Sequence, residues 1–222
     1  MDQRTALGSP VLRNANGVGR IGRSPINLAA FLARLSSYPI KSDRELLASG
    51  FQIGFSLGCR NVVECTRIPA NLPSARVHPD IVRQKIALEV KMGRVAGPYK
   101  HLPMTPMRCS PLGLVPKREP GSFRLIHHLS WPRGQGVNNA IPDELAAVSY
   151  TKFDTVVTQI QNFGKGTYLW KADIKDSFRL LPIRKSDQQY LGFSFEGQFL
   201  LTYVWLMALK ALVKFLKNLA RS

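Results

Sequence analysis

Two short apolar runs, Leu112-Gly-Leu-Val115 and residues 123–129, enclose the heptapeptide Pro116-Lys-Arg-Glu-Pro-Gly-Ser122. Pro120 presets its own φ and Gly121 tolerates a positive one, so the pair marks a tight reversal. The flanking runs are therefore expected as antiparallel strands of a hairpin with a basic tip. A second hairpin is expected where residues 190–195 and 198–201 flank Glu196-Gly197. Residues 78–93 carry a helical pattern instead. Pro79 and Asp80 suit its first turn, Ile81, Val82, Ile86, Leu88 and Val90 supply a buried stripe, and Gly93 suits its end. Strands and helices in this order place the chain in the α+β class.

The remaining segments are less patterned. Residues 1–23 are rich in Gly, Asn and Arg and read as a disordered basic arm. Residues 24–57 hold short apolar clusters broken by Pro39, Gly50 and Gly54, which predicts two short helices. Residues 59–77 read as linker. Residues 150–163 form an amphipathic helix with Phe153, Val156, Val157 and Ile160 on one side, stopped by Gly164 and Gly166. Residues 167–172 are expected as a strand that delivers Asp173. The divisions that follow are an arm at 1–23, a helical or irregular segment at 24–77, a main unit at 78–202 and a tail at 203–222.

Charge narrows the function classes. The chain has 222 residues, with 31 Lys and Arg against 14 Asp and Glu, a net charge of +17. Such an excess favours a polyanionic partner, because phosphate neutralisation releases counterions. Cys59, Cys65 and Cys109 are odd in number and widely spaced, which argues against a disulfide framework and for free thiols in a reducing compartment. The N-terminus shows no apolar signal-like run, and the long apolar run at 199–216 is broken by Lys210 and Lys214. An intracellular location, cytoplasmic or nuclear rather than secreted, and no transmembrane segment are the expectations.

The residues that could carry chemistry lie in two places. Asp173 and Asp176 belong to Lys171-Ala-Asp-Ile-Lys-Asp-Ser-Phe178, at the end of the expected strand. A carboxylate there suits a divalent cation such as Mg²⁺, which binds one or two carboxylates together with substrate phosphates. Asp176 could add a ligand or meet a triphosphate through its backbone N–H. Lys117 and Arg124 lie on the two arms of the basic hairpin, so both heads can converge on one anion. Taken alone, each place also has an ordinary structural reading: a capped strand-to-helix turn and a solvated basic turn.

The ordered block is more specific than its parts. The stretch from Ser110-Pro-Leu-Gly-Leu-Val-Pro-Lys through Phe123-Arg-Leu-Ile-His-His-Leu-Ser130, then Val137-Asn-Asn-Ala-Ile-Pro142, then Lys171-Ala-Asp-Ile-Lys-Asp-Ser-Phe-Arg-Leu-Leu-Pro182, resembles a reverse transcriptase. Within that class it resembles the enzymes of DIRS-like retrotransposons, the group that bears a tyrosine recombinase. Segments at 49–55, 78–83 and 93–98 resemble the same group, and the likeness spans roughly residues 25–201. The resemblance implies the fingers and opening strands of a polymerase palm, with RNA-directed DNA synthesis on a primer–template from deoxynucleoside triphosphates and Mg²⁺. By position, Asp173 matches the first metal-binding aspartate. Asp176 and Ser177 match residues of the triphosphate pocket, Phe178 matches the aromatic that excludes a 2′-hydroxyl, and Lys117 and Arg124 match cations that grip the triphosphate. His128 stands where many relatives have an acidic residue and is given no role.

The same resemblance breaks in the tail, at residues 203–222. Two metal ions ~3.5–4 Å apart need shared carboxylates, yet only Asp187 and Glu196 are acidic beyond Phe178. The Leu-Pro-x-Gly and x-Asp-Asp motifs of the family do not follow. The hypothesis that fits this is a one-base shift near Tyr203: Met207 and Ala208 read in the displaced frame give glycine, and residues 209–220 permit Lys-Ser-Ser-Cys-Lys-Ile-Phe-Glu-Lys-Phe-Ser. Trp205-Leu206 allows only Ala or Val in that frame, where Pro is expected. The genomic DNA beyond the Leu201 codon tests this. A truncated, inactive polymerase fragment is thus expected. Two alternatives stand beside it: a catalytically dead basic module that binds nucleic acid, and a membrane- or protein-docking peptide. The last would use Lys210, Lys214, Lys217 and Arg221 on one helical face, with Leu209, Leu212, Val213 and Leu216 across much of the other.

Overall fold

The computed structural model describes residues 24–60, 63, 66–146, 151–170 and 176–204. The basic arm, Asp173 and the tail from Trp205 onward lie outside the described residues. Two helices open the described chain, α1 (Leu28–Leu35) and α2 (Lys41–Ile53), as the clusters of residues 24–57 predict. The Asn27 carboxamide oxygen caps α1 by accepting from the Ala30 N–H at 3.1 Å. Gly54, at φ 92°, ends α2, and the ring of Phe55 folds back over Gly50, where any Cβ would lie 2.0 Å from it. Phe31, Phe51 and Phe55 then stack edge-to-face at 4.9 and 5.1 Å.

Residues 59–77 are more than a linker. They contain a helix, α3 (Pro73–Val77), followed by α4 (Pro79–Lys91). The reason is the free edge of the first hairpin, β2 (Leu112–Pro116) with β3 (Phe123–His127); β1 (Val95–Tyr99) precedes them. Asn71 Oδ1 accepts from the Leu112 N–H at 2.8 Å, Ser74 Oγ accepts from the Leu114 N–H at 3.0 Å, and the Leu72 N–H donates to the Leu112 carbonyl. An edge strand with unpaired groups needs such partners. In α4, Val82 and Ile86 are buried, and Ile81 and Val90 pack partly, but Leu88 is half exposed. Two residues beyond Ile86, Leu88 faces away from the stripe.

The hairpin β2–β3 pairs in register from Leu112 opposite His127 to Pro116 opposite Phe123. The second hairpin joins β4 (Gly192–Phe195) to β5 (Gln198–Thr202), and β1 adds to β5, giving the order β1-β5-β4, antiparallel throughout. Glu196 and Gly197 both have positive φ, 50° and 73°, as a two-residue turn of this hand requires. The strand expected from residue 190 starts later, because Lys185–Tyr190 is a 3-10 helix. Leu200 and Leu201 point to opposite faces of the sheet and enter different clusters, Leu200 with Val82, Ile86 and Phe193, Leu201 with Met104 and Met107. A further cluster joins Leu35, Leu47 and Phe55 to Leu129, Ile141 and Ile183.

Between these parts, α5 (Asp143–Ala146) and α6 (Phe153–Phe163) follow the hairpin. α6 matches the amphipathic helix predicted at 150–163, yet none of its residues is buried. The strand expected at 167–172 is not seen over its described part: residues 167–170 take no regular structure, and Tyr168, Leu169 and Trp170 are exposed. A strand forms against a partner edge, and no described strand pairs here. The α+β class read from the sequence is the class observed, with helices at the N-terminal end and, among the described residues, two small sheets.

Candidate functional site

The hairpin sorts its side chains by strand alternation. Leu114, Phe123 and Leu125 turn toward α3 and α4 and join their cluster. Val115 and Arg124 are opposite each other in the ladder and therefore share the outer face. The Lys117 N–H donates to the Ser122 carbonyl at 2.8 Å, which extends the ladder past Pro116. Lys117 thereby falls on the same outer face as Arg124, diagonally across the two strands. Both are exposed, and neither has an acidic partner among the described residues.

The second candidate region begins at Asp176, which adopts a left-handed conformation (φ 53°, ψ 30°) before the 3-10 turn Ser177–Leu180. Asp tolerates this region better than most residues. The Arg179 N–H donates to the Asp176 carbonyl at 2.7 Å. Ser177 and Phe178 are half-buried, and Phe178 packs against the cluster of Leu181 and Ile183. Asp173 lies outside the described residues, so the two aspartates are not related here.

Sequence reasoning missed the charged groups behind this turn. Asp176 Oδ2 lies 3.6 Å from Arg94 Nη1, and the same guanidinium nitrogen lies 3.9 Å from Glu89 Oε2. Arg179 donates to Glu89 Oε2 as well. Glu89 sits in the last turn of α4, Arg94 just before β1, and the other two far along the chain, so only their charge signs were visible in the sequence. His127, at the end of β3, is buried, and burial together with the Arg179 charge pushes its pKa down to about 3. Its ring stands edge-to-face on Phe193 at 4.8 Å. The two described thiols are held protonated: burial pushes Cys59 up to about 12, with Asp187 adding to the effect, and burial does the same to Cys109.

Mg²⁺ does not fit the carboxylates described. Asp176 is engaged by Arg94. Asp187 Oδ2 accepts from the Leu57 N–H at 2.7 Å and from Ser56 Oγ at 3.0 Å, and Glu196 pairs with Arg83 at 2.5 Å. No group of three His, Cys, Asp or Glu residues lies together among the described residues. No helix among them is long and apolar enough to cross a membrane.

The fold has a weak structural likeness to retroviral-type reverse transcriptases. The foamy viral protease–reverse transcriptase dRH, in complex with double-stranded DNA, aligns over 88% of this chain and 35% of its own, with 16% identity and a TM-score of 0.49. The foamy viral protease–reverse transcriptase in complex with an RNA/DNA hybrid aligns over 88% and 27%, with 16% identity and a TM-score of 0.48. The native Prototype Foamy Virus enzyme aligns over 88% and 27%, with 16% identity and a TM-score of 0.44. The chain spans about a third or less of those chains. No protein-family model matches the sequence, and no curated protein does. At this level of likeness the chemistry rests on the residues of this chain.

Proposed function

We propose that the chain forms the fingers and partial palm of a reverse-transcriptase-like polymerase of the DIRS-like class. On this reading its 222 residues bind primer–template and a nucleoside triphosphate but do not by themselves transfer nucleotides. One observation carries the binding half: Lys117 and Arg124 share an exposed hairpin face with no acidic partner among the described residues. Two such cations, one a fork and one a point charge, suit phosphate oxygens. The inactive half of the proposal is supported by the described residues, which hold no group of three His, Cys, Asp or Glu. Beyond Phe178 the sequence offers Asp187 and Glu196, and both serve structure.

Fluorescence anisotropy with a labelled RNA/DNA primer–template tests the reading. The full chain is expected to bind, and the double variant Lys117→Ala/Arg124→Ala to bind about tenfold more weakly, as the loss of charge-assisted contacts implies. Equal binding by the variant removes the hairpin from the interface. A primer-extension assay with Mg²⁺ is expected to give no product, and any extension overturns the inactive assignment. A basic module that never meets a triphosphate would bind primer–template but show no nucleotide titration. The docking-peptide reading rests on residues 205–222, outside those described.

A further inference from the structure

Glu89, Arg94, Asp176 and Arg179 form a balanced set of two acids and two bases, and its parts differ in rigidity. Arg94 is held at both ends of its own backbone unit: its N–H donates to the Glu89 carbonyl at 3.0 Å, and its carbonyl accepts from the Tyr203 N–H at 2.9 Å. Its side chain is 12% exposed and that of Glu89 15%. Asp176 is 51% exposed and left-handed, a conformation that needs support from its surroundings. The fixed pair thus grips the turn at two points. Arg94 takes the carboxylate of Asp176 at one end, and Glu89 takes the guanidinium of Arg179 at the other. Ser177 and Phe178 are the residues between the grips.

We infer that Arg94 is a positioning residue for the 176–179 turn: it holds the Asp176 carboxylate beside its own guanidinium and fixes Ser177 and Phe178 where a nucleotide would meet them. This rests on the polymerase reading for its ligand, but not for its geometry. A single nitrogen, Nη1, lies between the two carboxylates, 3.9 Å from Glu89 and 3.6 Å from Asp176.

Two readouts on the full chain test the inference. Hydrogen exchange without ligand reads the geometry. Arg94→Gln is expected to speed exchange at residues 176–181 and to leave α4 and β5 protected, since Glu89 keeps Arg179 as its partner. Asp176→Asn, which retains the left-handed backbone preference and is safe to fold, is expected to do the same. Exchange that rises through β1 and β5 as well, or nowhere, overturns the positioning role. Titration with dATP and Mg²⁺ reads the consequence. Each variant is expected to weaken binding about tenfold, the size seen for supporting residues, and the double variant no further. If the wild-type chain binds dATP and both variants bind equally well, the inference falls and the polymerase reading stands. If the wild-type chain does not bind dATP, the polymerase reading falls, and exchange alone decides whether Arg94 holds the turn.

Discussion

His127 carries a ring nitrogen, Nδ1, into the interior with no partner among the described residues. Its neutral form is the one the fold accepts, with a pKa near 3 against an ordinary 6.5. The unfolded chain therefore binds an extra proton between those values. Stability is full above about pH 6.5 and declines as pH falls toward 3, with a slope from this residue of up to about 1.4 kcal/mol per pH unit. Urea midpoints measured from pH 7 to 4 should fall less steeply in His127→Leu than in the wild type, and the carboxylates common to both cancel in the difference. Parallel curves would mean that the ring is not held neutral. Asp187 works differently, as an acceptor that closes the loop after Phe55. Asp187→Ala leaves the Leu57 N–H and the Ser56 hydroxyl donor without their acceptor and should cost about 1–3 kcal/mol by denaturant unfolding. An unchanged midpoint would show that water replaces the carboxylate without loss.

Helix α6 shows how far periodicity carries. Its apolar residues recur at helical spacing, and the helix forms, but Phe153 is 80% and Phe163 76% exposed, whereas Leu200 in the sheet is 2% exposed. Phe153→Lys and Phe163→Lys should each change stability by less than about 0.5 kcal/mol while reducing aggregation in light scattering. Leu200→Ala should cost about 2–5 kcal/mol. A large loss from either lysine variant would mean that α6 is covered in solution. The same contrast explains what the sequence disclosed. The two hairpins and α4 were legible because local spacing and turn residues determine them. α3 was not, because its place depends on Asn71 and Ser74 meeting the β2 edge some 40 residues away. Residues 167–170 have strand-forming composition, but pairing is a property of the neighbour, and none of the described strands supplies it. In the candidate site, Lys117 and Arg124 could be placed together by strand alternation, while the Arg94 network joins residues with no local signal.

The net charge of +17 predicts a polyanionic partner but does not say which cations meet it. The ion pairs divide them. Arg83 is bound to Asp80 at 2.6 Å and to Glu196 at 2.5 Å, so its charge is already answered within the fold. Lys117 and Arg124 have no such partner among the described residues, and their face is open. Lys117→Ala and Arg83→Ala each remove one positive charge, so a partner held by net charge alone would lose the same affinity and the same salt dependence in both. A partner held at the hairpin distinguishes them. The logarithm of the association constant for a duplex primer–template, followed against the logarithm of salt concentration, should lose about one unit of slope in Lys117→Ala. It should keep the wild-type slope in Arg83→Ala. Equal slopes in the two variants would move the interface off the hairpin and leave the charge as a diffuse field. Separate slopes would identify the outer face of β2–β3 as the surface that displaces counterions.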